Sequence, residues 1–411
     1  MKCRHCNTDL KHVFVDLQYS PISNDMLIKE KLDYKENYFP LKVKVCHECF
    51  LVQHSEFKKA MEIFDDKYTY FSSYSKSWLR HSKAYVDMMM KRFHFDKDSL
   101  VMEIASNDGY LLQYFLEYGV PVIGVDPTTN TAIEAEKKGV KTIAEFFSTD
   151  FVQKKLLTGE LKRANLIIGN NVLAHVPDIN DFVKGMKLAL KEDGIITIEF
   201  PHLLNLIEEI QFDTIYHEHF SYLSLISVKR IFEKTGLEIF DVEELNTHGG
   251  SLRIYAKHIE NDRINISNNV YRVINKEINY GLNNLKCYQG FQEKVDIIKY
   301  DTLSFLIEQK KKGKKVIGYG AASKGNTLIN YCGIKGRDLI NFVVDASPYK
   351  QNKFLPGSHI PVYDENKLKN FKPDYVIILP WNLKSEISEQ LTYIKDWGGK
   401  FVIFIPKLTI F

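Results

Sequence analysis

The sequence lacks a long apolar run and an apolar leader. No part of its 411 residues approaches the roughly 20 consecutive apolar residues that cross a bilayer. The start, residues 1–5, lacks the apolar segment on which a secretory signal depends. We therefore expect a soluble, cytoplasmic protein that acts without a membrane.

A strong excess of one charge is also missing. The 55 basic and 52 acidic residues leave a formal net charge of +3, and the basic residues are spread along the chain. This excludes the basic tail or stripe that favours nucleic acid as a partner, although a small anionic ligand stays open. The composition, 45% hydrophobic and 26% charged, is that of a globular protein. At this length we expect two or three domains.

Cysteine is scarce, but it is patterned. Four of the six cysteines form two CxxC pairs, which without a leader favour metal binding over disulfides. Each pair places two thiolates on a tight turn, and two such turns complete a tetrahedral Zn²⁺ site that leaves no open position for catalysis. The alternative is four free, buried thiols. The predicted ligands of a structural zinc are Cys3, Cys6, Cys46 and Cys49.

Short apolar runs alternate with helical patterns along most of the chain. A helix is predicted from about residue 75 to 93, and strands then alternate with helices, which predicts a doubly wound, parallel α/β sheet. The last two runs of this part, LEIFDVEE and SLRIYAK, suit an antiparallel hairpin at the sheet edge. After a polar helical stretch over 268–312 a second, smaller α/β unit follows. The predicted domains are 1–68, 69–265 and 266–411.

A cofactor corner is predicted where the strand VMEIA meets a helix. Gly109 lets a ligand approach the backbone, and Asp126 ends the next strand, where an acid accepts bonds from ribose hydroxyls. The corner lacks the G-x-G-x-x-G pattern, which disfavours a nicotinamide dinucleotide there. The acids Glu103 and Asp108 suit the positive charge of S-adenosylmethionine. The alternative is that Asp108 and Asp126 only cap turns.

At this point the chain resembles a known family. The corner at 103–112, Asp126 and the segment NNVLAHVPD at 170–178 resemble class I S-adenosylmethionine-dependent methyltransferases. The cysteine module, YFSSY at 70–74, YHEH at 216–219 and GYGAASKG at 318–325 resemble the sugar C-methyltransferases that make branched deoxysugars, over essentially the whole chain. The resemblance implies a zinc module, a class I Rossmann-like core and a smaller C-terminal Rossmann-like domain. The cofactor residues expected are Glu103, Ser106, Asn107, Asp108, Gly109, Asp126, Asn170 and Asn171.

The acceptor chemistry needs a base and a group that stabilises an enolate, because methylating a carbon requires a carbanion equivalent. Residues 216–222 concentrate titratable side chains at the ligand-binding edge of the sheet. The resemblance implies His219 as the base, Glu218 as its orienting or neighbouring partner and Tyr216 as a further polar participant. It also places His175 near the methyl group, with a hydrogen bond to the enolate oxygen, and Tyr70 at the pocket entrance. His202 and His248 are expected to be ordinary surface or core histidines.

The C-terminal unit carries a phosphate-binding pattern. Its glycine-containing turn opens a helix that offers N–H groups, a hydroxyl and an ammonium. The resemblance implies that this domain holds the nucleotide diphosphate of the sugar. Two alternatives are a turn that only docks the helix, and a nicotinamide cofactor with its ribose on Asp345. The expected substrate residues are Ser323, Lys324, Gly325, Trp381 and Asn382.

These features together predict methyl transfer from S-adenosylmethionine to a ring carbon of a nucleotide-linked keto-deoxysugar, at C3 beside a C4 ketone. One alternative is O- or N-methylation of a related sugar, which needs no ketone. Another is a non-catalytic protein that binds a nucleotide sugar. The nucleotide, the sugar, the stereochemistry and the oligomeric state stay open.

Overall fold

The computed structural model describes residues 1–63, 71–336 and 338–411. Within these ranges the strands form three sheets. The strands are β1 (His12–Ser20), β2 (Phe39–Val45), β3 (Val52–His54), β4 (Val101–Ile104), β5 (Val122–Val125), β6 (Thr142–Ile143), β7 (Ala164–Asn170), β8 (Leu190–Pro201), β9 (Ser221–Tyr222), β10 (Leu237–Leu245), β11 (Ser251–His258), β12 (Val316–Tyr319), β13 (Val343–Val344), β14 (Val362–Tyr363), β15 (Tyr375–Ile378), β16 (Lys400–Ile403) and β17 (Thr409–Ile410).

Helices cover the sheets and connect their strands. The α-helices are α1 (Ala60–Ile63), α2 (Lys76–Phe93), α3 (Leu112–Glu117), α4 (Thr129–Lys137), α5 (Thr149–Thr158), α6 (Ile179–Ala189), α7 (Leu203–Glu208), α8 (Leu225–Lys234), α9 (Asn268–Tyr280), α10 (Phe291–Lys311), α11 (Ser323–Tyr331), α12 (Asn366–Phe371) and α13 (Lys384–Gln390). Short 3₁₀ turns lie at Lys29–Lys31, Ser72–Tyr74, Leu173–His175, Phe212–Thr214, Thr247–Gly249, Leu285–Tyr288, Trp381–Leu383 and Thr392–Trp397. Among the described residues, every helix is too short or too polar to traverse a lipid bilayer.

The first sheet belongs to the cysteine module, but one of its strands comes from far along the chain. Its order is β1-β2-β3-β9, and all neighbours are antiparallel. The fourth strand, β9, follows directly on the predicted catalytic motif at 216–219 and pairs Ser221 with Gln53. The cysteine module and the predicted catalytic loop therefore share one sheet.

The second sheet has the order β10-β11-β8-β7-β4-β5-β6. Its strands are parallel except β11, which runs antiparallel to both neighbours and forms the predicted hairpin with β10. Strands β4 and β7 are buried on both faces, as their nearly continuous apolar sequences indicate. Helix α2 begins one residue after Ser75, whose hydroxyl accepts a hydrogen bond from the Trp78 N–H at 3.2 Å. The sequence prediction of a doubly wound core is confirmed.

The third sheet forms the C-terminal domain, in the order β14-β13-β12-β15-β16-β17. Five strands are parallel and β17 closes one edge in the opposite direction. The polar stretch before it contains helices α9 and α10, as predicted. This sheet is the second, smaller α/β unit that the sequence indicated.

One apolar core joins all three parts of the molecule. Phe14 of β1 stacks on Phe291 of α10 with ring centroids 4.4 Å apart. Residues that share this core come from the cysteine module, from the middle domain and from the C-terminal domain, and include Val15, Val43, Leu203, Phe212, Leu328 and Val402. Because apolar packing fixes the three parts against each other, residues from all of them can line one site.

Candidate active site

The four cysteines converge as the sequence predicted. The Sγ atoms of Cys3 and Cys49 lie 3.5 Å apart, those of Cys6 and Cys46 lie 3.5 Å apart, and all four lie within 4.8 Å of one another. Thiolates around a tetrahedral zinc with Zn–S of about 2.3 Å are separated by roughly 3.8 Å. The four sulfurs therefore fit a closed zinc site, which is structural.

The predicted cofactor corner lies at the carboxyl end of β4. The Asp126 carboxylate accepts hydrogen bonds from the backbone N–H of Asn107 and of Thr128, each at 2.9 Å. Asn107 and Gly109 both have positive φ, 48° and 72°, which makes the turn tight enough for a ligand to approach its backbone. Asp126 thus caps a turn, as the alternative to a ligand-binding role expected. It also lies directly after β5, the position at which a ribose is predicted.

Three polar side chains at this corner are buried and suit a cationic, polar ligand. Burial raises the pKa of the fully buried Glu103 well above its usual value, and within the described ranges no salt bridge reaches its carboxylate. The Ser106 hydroxyl and Asp108 Oδ1 are buried without a hydrogen-bond partner in the same ranges. Buried polar atoms without a hydrogen-bond partner indicate a ligand that would form hydrogen bonds with them. S-adenosylmethionine, with its ammonium and sulfonium charges, fits this set.

The segment after the predicted residue Tyr70 lies directly on the corner. The backbone N–H of Ser72 donates to Asn107 Oδ1 at 2.9 Å, and that of Ser73 donates to Asp108 Oδ2 at 3.3 Å. Lys138 forms a salt bridge of 3.2 Å with Asp108 Oδ2. Tyr70 itself lies outside the described residues. Ser72 and Ser73, which follow it, are hydrogen-bonded to the cofactor corner.

The predicted base, His219, has a defined tautomer. Its Nδ1 lies 2.8 Å from the Thr214 carbonyl oxygen, which can only accept, so Nδ1 carries the proton and Nε2 keeps its lone pair. The His219 ring lies 4.6 Å from the His175 ring and 4.0 Å from the Tyr216 ring, between centroids. Burial, followed by the nearby His175, lowers the pKa of His219 well below 6.5. The imidazole is therefore neutral at physiological pH, as a base requires.

The Glu218 side chain does not orient His219, which corrects one of the two roles expected for it, an orienting or a neighbouring partner. Its carboxylate turns toward the cysteine module, where it accepts hydrogen bonds from the Asn24 amide at 2.9 Å and the Ser23 hydroxyl at 3.3 Å. The orienting group is the Thr214 carbonyl. Burial raises the pKa of Glu218 to about 7, so Glu218 gains or loses a proton near neutrality.

Residues of the C-terminal domain reach the same region. The Lys324 ammonium donates to Asn382 Oδ1 at 3.0 Å and lies 4.8 Å from the centroid of the Trp381 ring. The Trp381 indole N–H donates to Asp213 Oδ2 at 2.8 Å. Three of the predicted substrate residues, Lys324, Trp381 and Asn382, are thus brought together against the middle domain. Asp213 was missed by sequence reasoning, because only the fold brings it to Trp381.

The remaining two predicted substrate residues, Ser323 and Gly325, lie in the first turn of α11. Ser323 is the first residue of α11 and is half-buried, at the helix end that the sequence indicated. Gly325 is buried, and a Cβ there would lie 2.7 Å from the Leu379 Cβ. Gly325 therefore allows α11 to pack closely on the end of β15, and its role in substrate binding stays a prediction.

His248 contacts two of the predicted site residues, Asn171 and Lys324, a placement that the expectation of an ordinary surface or core residue did not include. Its Nε2 lies 3.0 Å from the Asn171 amide nitrogen, and its backbone carbonyl accepts from Lys324 at 3.4 Å. Both Asn171 and His248 have positive φ, 52° and 54°. Asn170, at the end of β7, lies beside them. His248 stands directly before Gly249 and Gly250, and a histidine in such a turn at a strand end was the sequence signal that could have found it.

A buried ion pair supports this face of the site. Arg253 Nη2 and His81 Nε2 lie 2.9 Å and 2.8 Å from Glu199 Oε2, and the Thr247 hydroxyl donates to Oε1 at 2.8 Å. Although burial opposes ionisation, His81 and Arg253 hold the pKa of Glu199 at about 2. The network fixes the 247–250 turn that carries His248.

Replacing Arg253 with methionine should destabilise the middle domain by about 3–5 kcal/mol, because Glu199 would stay buried without its cation. Urea unfolding followed by tryptophan fluorescence measures the change. Arg263→Met, at an exposed position, is the control and should unfold like the wild type. Equal unfolding midpoints for the two variants would show that the pair contributes little.

Comparison with known proteins adds to this geometry. Models of three protein families match successive parts of the chain: a zinc binding domain over residues 3–64, a methyltransferase domain over 78–242 and a C-methyltransferase C-terminal domain over 246–406. The C-methyltransferase NovU of Streptomyces niveus is 33% identical over 406 residues, which cover 99% of this chain and 96% of that protein. The chain belongs to the C-methyltransferase family. It is an S-adenosylmethionine-dependent enzyme that methylates carbon, so the O- or N-methylation and the binding-only alternatives are set aside.

Solved structures resemble only part of this C-methyltransferase. Magnesium protoporphyrin IX methyltransferase from Synechocystis, with bound SAH, is 14% identical, covers 43% of this chain and 82% of its own, and gives a TM-score of 0.34. A protein from Pyrococcus horikoshii is 16% identical, covers 46% of this chain and 95% of its own, and gives a TM-score of 0.36. The family assignment rests on the full-length relative.

Proposed function

We propose that this C-methyltransferase transfers the methyl group of S-adenosylmethionine to a ring carbon of a nucleotide-activated deoxysugar, at C3 next to a C4 ketone. The observation that carries the proposal is the neutral, oriented His219, whose Nε2 is available as a base at the carboxyl edge of the core sheet. A ketone beside the acceptor carbon acidifies its C–H, so that a histidine can remove the proton.

The residues divide the work as follows. His219 Nε2 takes the proton from the acceptor carbon, and the electron pair of the broken C–H bond passes into an enolate. His175, whose ring packs on His219 at 4.6 Å, lies near the transferring methyl group, and Tyr216 holds the sugar ring against the base. When bound, S-adenosylmethionine supplies the electrophilic methyl group that the enolate carbon takes up.

The cofactor is held along the ends of β4, β5 and β6. Glu103, Ser106 and Asp108 satisfy its charged end, and Asp126 accepts the ribose hydroxyls. We assign the adenine to the open cleft that Pro127 and Phe146 line beside Asp126. Phe146 is 38% exposed, and an aromatic ring left in the open at a strand end suits stacking of a base.

The C-terminal domain holds the nucleotide diphosphate through Lys324, Ser323 and the start of α11. Lys324 points toward the middle domain, so a sugar attached to the diphosphate would lie between Trp381 and His219. Asp345 already accepts the backbone N–H groups of Ala321 at 2.7 Å and Ser347 at 2.8 Å. Because Asp126 makes the same kind of contact at the cofactor corner, a titration with a nucleotide sugar and with a nicotinamide cofactor is what distinguishes the two ligands of this domain.

Mass spectrometry tests the proposal directly. Nucleotide 4-keto-6-deoxysugars in several nucleotide forms would be incubated with the enzyme and methyl-labelled S-adenosylmethionine. Label on a ring carbon establishes the reaction and the preferred nucleotide. If no keto sugar is labelled while S-adenosylmethionine still binds, the acceptor is another carbon nucleophile.

The pH profile should follow the environment of His219. Since its pKa is lowered by burial, then by His175, with Lys324 and His248 adding to the effect, the base is neutral above that pKa and charged below it. We expect kcat/KM to stay level from mildly alkaline pH down past 6.5 and to fall only in acid. Lys324→Met removes a positive charge and should move the acid limb to higher pH. An acid limb at or above 6.5 in the wild type would assign the base to another group.

A further inference from the structure

One side chain of the zinc module, Arg4 inside the first CxxC pair, contacts the chain next to the proposed catalytic histidines. Its Nη1 donates to the Pro177 carbonyl at 2.6 Å, and its Nη2 donates to the His54 carbonyl at 2.6 Å. The guanidinium carbon also lies 5.4 Å from the centroid of the Phe220 ring. One planar group thus contacts three separate segments.

Two of these segments carry the proposed catalytic histidines. Pro177 lies two residues after His175, and Phe220 directly follows His219. The third contact, His54, donates its backbone N–H to the Phe220 carbonyl at 3.2 Å. Arg4 therefore contacts the chain within two residues of each histidine of the His175–His219 ring pair.

Hydrogen bonds fix the backbone of Arg4 within the tight turn of the first CxxC pair, which we call the zinc knuckle. Its N–H donates to Gln53 Oε1 at 2.9 Å, and the Gln53 amide donates to Cys3 Sγ at 3.2 Å. Its carbonyl accepts from the Asn180 amide at 3.2 Å, at the start of α6. Gln53 is fully buried in β3 and pairs there with β9. The zinc knuckle is thus hydrogen-bonded directly to Asn180, after the His175 loop, and is connected through Gln53 to β9, after the His219 loop.

We propose that Arg4 is a positioning residue for methyl transfer, which sets the distance between the loop of His175 and the loop of His219 from the zinc knuckle. The proposal rests on the proposed roles of these two histidines. A guanidinium suits this task because its amino groups point in fixed directions, so the carbonyls of Pro177 and His54 are held at a fixed separation, and His54 is hydrogen-bonded in turn to Phe220, the residue after His219. Lysine offers a single ammonium and cannot set that separation.

A second arginine provides a matched control. Arg230 of α8 donates to the Glu48 carbonyl in the second CxxC pair and lies 5.7 Å from the Phe50 ring. It thus makes the same two kinds of contact with the other knuckle. The described contacts of Arg230 include neither catalytic loop. Arg230 is exposed and lies outside the CxxC turns, so its loss tests what an arginine contact with the second turn contributes to holding the module.

The experiment compares Arg4→Met, Arg4→Lys and Arg230→Met in the full-length, zinc-loaded enzyme. Hydrogen exchange measured by mass spectrometry, with S-adenosylhomocysteine bound, reports on peptides covering 172–180 and 214–223. For both Arg4 variants we expect faster exchange in these peptides, with the zinc content of the wild type. With a 4-keto-6-deoxysugar nucleotide that the enzyme accepts, we expect kcat to fall by about 10- to 100-fold while KM for S-adenosylmethionine stays unchanged. Arg230→Met should match the wild type in every readout.

Several results would overturn the proposal. One is wild-type exchange in both peptides of the Arg4 variants. Another is equal loss in the Arg4 and Arg230 variants, or loss of zinc, since either would assign the effect to the module as a whole. If Arg4→Met does not fold, the exchange rates and turnover of Arg4→Lys test the proposal instead. His219→Ala, measured in parallel, separates the two hypotheses: if it keeps full turnover, the base assignment fails, whereas the exchange data still decide the role of Arg4.

Discussion

Replacing His219 with asparagine is expected to lower kcat by about 10²- to 10⁴-fold, the range that loss of a general base produces. Asparagine can keep the hydrogen bond to the Thr214 carbonyl, which His219 Nδ1 makes at 2.8 Å, but it offers no basic nitrogen at the other position. The loop should therefore keep its conformation, and affinity for S-adenosylhomocysteine should stay that of the wild type. Steady-state turnover and calorimetric titration measure the two effects.

The step that fails can be identified by deuterium exchange. With S-adenosylhomocysteine in place of the methyl donor, the wild type should exchange the acceptor C–H of the keto sugar with deuterium from the solvent. His219→Asn should lose this exchange along with turnover. His258→Asn, a residue at the end of β11 remote from the loop, is the control. Exchange that persists in His219→Asn would identify a different base.

Features carried by neighbouring residues were predictable from the sequence. The cysteine pairs, the corner around Asp108 and the hairpin of β10 and β11 each depend on a short stretch, and each lies where the pattern placed it. Residue spacing reports on such features because local backbone geometry decides them. The domain boundaries and catalytic roles drawn from the sequence stay predictions.

Contacts between distant segments could not be predicted in the same way. The family resemblance implied that Glu218 is a partner of His219, but its carboxylate lies on Ser23, 195 residues away in the chain. Asp213 meets Trp381 across 168 residues. Such contacts depend on how three domains pack, and one sequence contains no direct record of that packing. The orientation of the site was therefore the part that required the structure.

Removing zinc should abolish methyl transfer while leaving cofactor binding in place. β9, directly after His219, is the fourth strand of the zinc-module sheet, and Glu218 is held by Ser23 and Asn24 of the same module. Folding of small zinc modules depends on the metal. Cys49→Ser should therefore lower turnover by more than about 100-fold, because the base would lose its support. The cofactor corner rests on β4 and β5 and should keep its affinity for S-adenosylhomocysteine.

A matched thiol makes this test specific. Cys287, in the connector between α9 and α10, lies outside the four-sulfur cluster, so Cys287→Ser should keep both zinc and turnover. Metal analysis, calorimetry with S-adenosylhomocysteine and turnover distinguish the outcomes. Loss of cofactor affinity along with zinc would mean that the module supports the whole core. Full turnover without zinc would show that β9 and the His219 loop hold their positions through the shared apolar core alone, and that the four thiolates serve another purpose.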